Sequence, residues 1–220
     1  MPFQIIDNNH DYGTLQNGDL VFKNCANKLE VGKLIQVGQA LSTLWSSTLI
    51  SDAKWEHAAI STADNGQIIE AVANGVTIDE MTNTADYIVF RRNHEAVATA
   101  ASETAKMILQ SKLDNPNASF DYSVKKAVKS LFTSSGTISM DAIDQRLDQL
   151  FPVEWQAGDN RVFCSQFVAL CSQIGAHQHG LRPEDFILIR DHAVTPAQLV
   201  SYLRDNAQWT LVGISGRGSH

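Results

Sequence analysis

The chain has 220 residues, of which 44% are hydrophobic and 19% charged, so it is long and apolar enough for one globular domain with a sizeable core. Its formal net charge of −7 and sequence pI near 5.4 exclude a basic nucleic-acid footprint and a polybasic membrane patch. Three cysteines, Cys25, Cys164 and Cys171, are an odd and sparse set that excludes a disulfide scaffold; no C-x-x-C pair offers structural zinc, and the seven histidines show no H-E-x-x-H spacing.

The first stretch, MPFQIIDNNHDYG, has no basic start and no long apolar run, so no standard secretory signal is expected. No run of about 18 apolar residues predicts a membrane span. NGDLVF (17–22) predicts a turn at Asn-Gly and then a short strand. Residues 29–50 carry Leu34, Val37, Leu41, Leu44 and Trp45 at spacings of three and four, which predicts an amphipathic helix weakened by Gly32 and Gly38. EHAAIST (56–62) and QIIEAVA (67–73) read as strands of a hairpin around ADNG, followed by strands in GVTIDEM (75–81) and DYIVFRR (86–92).

Residues 94–113 are alanine-rich and predicted helical, and further helices are predicted over 122–132 and 139–150. VFCSQFVALCSQIGA (162–176) predicts a helix over 163–175, with Gly175 as its C-cap. Thr195 and Pro196 then start another helix as N-cap and first helical residue. A last strand is predicted over 209–214, and the tail SGRGSH (215–220) reads in part as an appended scar. Strands gather early and helices late, which indicates an α+β fold.

Cys164 and Cys171 differ by position. Cys171 lies mid-helix among Val168, Leu170 and Ile174 and reads as core, the common fate of a free cysteine. Cys164 falls in the first turn, where unpaired N–H groups carry partial positive charge, stabilise a thiolate and can receive an oxyanion. A nucleophilic cysteine also needs an imidazole, and the imidazole needs an orienting partner. His10, His94, His177, His179 and His192 sit in polar text and His220 at the tail, whereas His57 begins an apolar strand whose same-face neighbours, Ala59 and Ser61, are small. Alone, such a histidine is more often structural. Glu70 stands in the apolar IIEAVA, and a buried acid needs a partner. If 63–66 form a four-residue loop, Ala59 faces Glu70 and His57 becomes its diagonal neighbour, about 7–8 Å away between backbones. A two-residue turn moves Glu70 away, and a three-residue loop puts the two on opposite faces.

NGDLVF, a strand-leading histidine in EHAAIS and the following QIIEAVANGV resemble the papain-like NlpC-type cell-wall peptidases. The cysteine helix, FCSQFV, follows these strands rather than preceding them. That order resembles the circularly permuted branch, with YiiX-like proteins and relatives of lecithin retinol acyltransferase. CSQFV is similar to the branch's Cys-Ser-Glu-Leu-Val, and AVTPAQLV (193–200) to its late Thr-Pro-x-x-Leu segment. The matched segments cover 17–22, 56–92, 162–176 and 193–200. Ala59 stands where the family usually has Gly, and 29–50 and 94–150 are helical insertions within a single domain, 1–214.

The resemblance implies an antiparallel sheet packed against the nucleophile helix, and a triad of Cys164 (nucleophile), His57 (base) and Glu70 (orienter), with no metal or organic cofactor. It implies an amide-cleaving cysteine hydrolase acting on peptidoglycan stem peptides. A secreted antibacterial effector, with an immunity protein and a secretion apparatus as partners and a target periplasm as its place of action, fits this reading. A cytosolic hydrolase of imported peptides fits equally. Two alternatives stand beside it. One is a lipid-directed phospholipase or acyltransferase using the same triad, with 29–50 meeting lipid. The other is an inactive binding module on the same scaffold.

Overall fold

The computed structural model describes residues 3–4, 12–13, 15–24, 54–63, 66–72, 75–81, 85–114, 164–181 and 196–215. The helices expected over 29–50, 122–132 and 139–150, together with Cys25, Phe163 and Thr195, lie outside these residues. Strands β1 (Phe3–Gln4) and β2 (Tyr12–Gly13) pair with each other. Strands β3 (Leu20–Asn24), β4 (His57–Ser61), β5 (Gln67–Val72), β6 (Gly75–Glu80), β7 (Asp86–Arg92) and β8 (Trp209–Ser215) form a six-stranded antiparallel sheet in the order β6-β5-β4-β3-β7-β8. The described helices are α1 (Glu95–Asp114), α2 (Cys164–Gln178) and α3 (Pro196–Asp205). The fold is therefore α+β; β3 to β8 and the three described helices fall within a few residues of their expected places, while the short β1–β2 pair was not foreseen.

Alternation along the strands builds two cores. Leu20, Phe22, Ile60, Ile69, Ile88 and Phe90 pack with Ala105 and Ile108 of α1, Phe167 and Cys171 of α2, and Leu199 and Leu203 of α3. Each leucine, isoleucine or phenylalanine among them stabilises the fold by about 1.5–3 kcal/mol when fully buried. The intervening residues Val21, Ala59, Ile68, Tyr87 and Val89 form a second cluster with Leu15 and Met81. β3 is thus covered on both faces, which is why its LVF run is continuous rather than alternating.

The turn that feeds β3 is pinned from two sides. Gly18 has φ +80°, and a Cβ there would stand 1.9 Å from the Ala98 carbonyl oxygen of α1, so only glycine fits. Asp19 is fully buried, and its carboxylate accepts from Arg91 Nε at 2.8 Å, Arg91 Nη2 at 2.7 Å and the Gln16 backbone N–H at 2.8 Å. This two-pronged pair compensates the burial of a carboxylate and ties the turn to β7.

The end of α2 differs from the expectation. Gly175 is not the cap: the helix runs three residues further, to Gln178. Gly180, at φ +64°, donates its N–H to the His177 carbonyl at 3.0 Å, and Leu181 donates to the Ala176 carbonyl at 3.2 Å. These two bonds are a Schellman ending, completed by apolar contact of Leu181 with Ala176 and Val97. Gly175 serves packing instead. A Cβ there would lie 2.7 Å from the Val97 carbonyl oxygen and 2.8 Å from the Ala101 nitrogen, so α1 and α2 touch backbone to backbone. Gly175→Ala is expected to lower the unfolding free energy by about 1–3 kcal/mol, the usual cost of overpacking, in urea denaturation. An unchanged midpoint would contradict this close approach.

Candidate active site

The β4–β5 hairpin adopts the register that brings His57 and Glu70 together. Ala59 faces Glu70, Ile60 faces Ile69 and Ser61 faces Ile68, and the Thr62 N–H donates to the Gln67 carbonyl at 3.1 Å. Residues 63–66 make the connection, with Ala63 at φ 63° and Gly66 at φ 82°. Ser61, expected to leave room on the site face, is instead fully buried at the turn, where its Oγ accepts the Ala63 N–H at 3.0 Å.

His57 Nε2 lies 2.9 Å from Glu70 Oε2. The approach is off the line of the ring N–H, so the two are an ion pair rather than a well-formed hydrogen bond. Glu70 is 9% exposed and His57 22% exposed at the side chain. A carboxylate sunk this far in an apolar strand needs a cation beside it, and the imidazolium supplies it.

Cys164 is the first residue of α2. It is buried, 8% exposed, and belongs to the main apolar cluster. It also lies against the His57 imidazole, and that contact shapes the ring's titration. Burial lowers the His57 pKa. Against it, the negative charge of the Cys164 sulfur, the hydrogen bond to that sulfur, and the contact and charge of Glu70 raise it, and the pKa is pushed up to about 10. The imidazole thus sits between an acid and a thiol, at the point where β4 and α2 both begin. The first-turn amides of a helix have no acceptor within the helix itself, and Cys164 opens that turn.

Cys171 lies two turns further on, fully buried, and burial pushes its thiol far above the ordinary range. The two cysteines of this helix therefore differ chemically as well as in position. His177 and His179 lie at the far end of α2, about 20 Å from Cys164 by helix rise. His94 caps α1, its Nδ1 accepting the Val97 N–H at 3.4 Å, with its ring 6.0 Å from that of His179. None of these three joins the Cys164–His57–Glu70 group. His10, His192 and His220 lie outside the described residues.

One neighbour of the site was not singled out by the sequence. Lys23 on β3 is the register partner of His57. A lysine in a strand reads as a solvated position, and only the β3–β4 pairing places it opposite His57 on the neighbouring strand. Among the described residues no group of His, Cys, Asp and Glu has the arrangement of a metal site, and no helix is long and apolar enough to cross a membrane. No family model matches the chain, and no curated protein sequence matches it.

The raised His57 pKa has a definite sign for stability. Its contribution is complete below about pH 6.5, the ordinary imidazole value, and is lost as pH rises toward about 10. In Cys164→Ala the largest upward influence is gone. NMR titration of the His57 ring should therefore show a clear fall in pKa relative to the native protein, and an identical titration would mean that the sulfur does not touch the ring.

Proposed function

We propose that this chain is a cysteine hydrolase that cleaves an amide bond, built on a permuted papain-like fold. The single observation that carries the reading is the His57 imidazole held between the Cys164 sulfur and the Glu70 carboxylate. Nucleophile, base and orienter recur in this order wherever thiols are activated for acyl transfer.

The chemistry follows from the placement. His57 holds the proton of the Cys164 thiol, and the sulfur attacks the carbonyl carbon of the substrate. The backbone N–H groups at the start of α2 receive the oxyanion. The C–N bond breaks as His57 hands its proton to the leaving amine, and a thioester forms on Cys164. Water, deprotonated by His57, then attacks the thioester and releases the acid. Glu70 keeps the ring in one orientation and stabilises its cation throughout. Glu70 is a positioning residue, while Cys164 and His57 touch the reacting atoms.

Peptidoglycan stem peptides are the proposed substrate class. The support is the ordered set of segments NGDLVF, EHAAIS, QIIEAV and CSQFV, which resembles the permuted cell-wall peptidases. The lipid-directed alternative placed its lipid contact in 29–50, outside the described residues, and no described feature favours it. The inactive-module alternative requires the sulfur and the imidazole to stand apart, and their contact weighs against it.

The test is mass spectrometry of digests of purified peptidoglycan. Native protein is expected to release stem-peptide fragments and Cys164→Ala none. Glu70→Gln should slow release by no more than the 10²–10⁴-fold that acid–base catalysis supplies, leaving measurable activity. Identical digests from native protein and Cys164→Ala would refute the proposed activity.

A further inference from the structure

We draw no further inference here: the strongest candidate, the cavity of about 630 Å³ between the β3 turn, the end of β7 and the start of α1, is lined by the guanidinium groups of Arg91 and Arg92 together with the Glu95 carboxylate, Arg91 is committed to Asp19, and nothing in the structure selects the charge or chemical class of a ligand for it.

Discussion

Glu70 is a carboxylate inside a strand of isoleucine, alanine and valine, and its burial is tolerable because the His57 imidazolium lies 2.9 Å away. That contact constrains much else. It exists only in one register of the β4–β5 hairpin, since a slip of one residue would send Glu70 to the opposite face. The register is held by the Thr62–Gln67 bond and by Ile60 and Ile69 facing each other in the main core. Glu70 orients the ring, and the oriented ring meets the sulfur of Cys164. The apolar packing of the sheet and the pairing of His57 with Glu70 thus depend on the same alternation along the strands.

The helices complete what the hairpin begins. Cys164 reaches His57 because α2 lies on the main core, and α2 is fixed there by its backbone contact with α1 at Gly175. α1 is in turn held against the β3 turn by Gly18, beneath Ala98. The buried Asp19–Arg91 pair locks the same turn to β7. These glycines and ions fix the helices and the β3 turn against the sheet rather than acting in the site. Cys164 is consequently both a core residue and a neighbour of the imidazole, and the two roles suggested by its position are not exclusive.

Much of this was legible in the sequence where the signal is local. The hairpin could be read because strand alternation has a period of two, but the pairing of Ala59 with Glu70 followed only if 63–66 formed a four-residue loop, and the register observed is the one that loop implies. Cys164 could be told from Cys171 because a helix start and a helix middle differ electrostatically. Gly175 was misread because a glycine late in a helical pattern serves equally as a cap or as a close-packing site, and only the position of α1 decides between them. Asp19–Arg91 and Lys23–Asp79 were out of reach, for they join residues 72 and 56 apart through the order of the strands in the sheet. Periodicity carries no information about that order.

The proposed chemistry stands or falls on whether the sulfur at the mouth of α2 and the ring at the start of β4 share one small space. Treatment with 1,3-dibromoacetone tests this directly, because its three-carbon bridge joins a thiol to an imidazole only when both are within its span. The expected product, found by mass spectrometry after proteolysis, is a peptide containing Cys164 cross-linked to one containing His57, with two bromides lost. Cys164 alkylated at one end only, with His57 unmodified, would contradict the account.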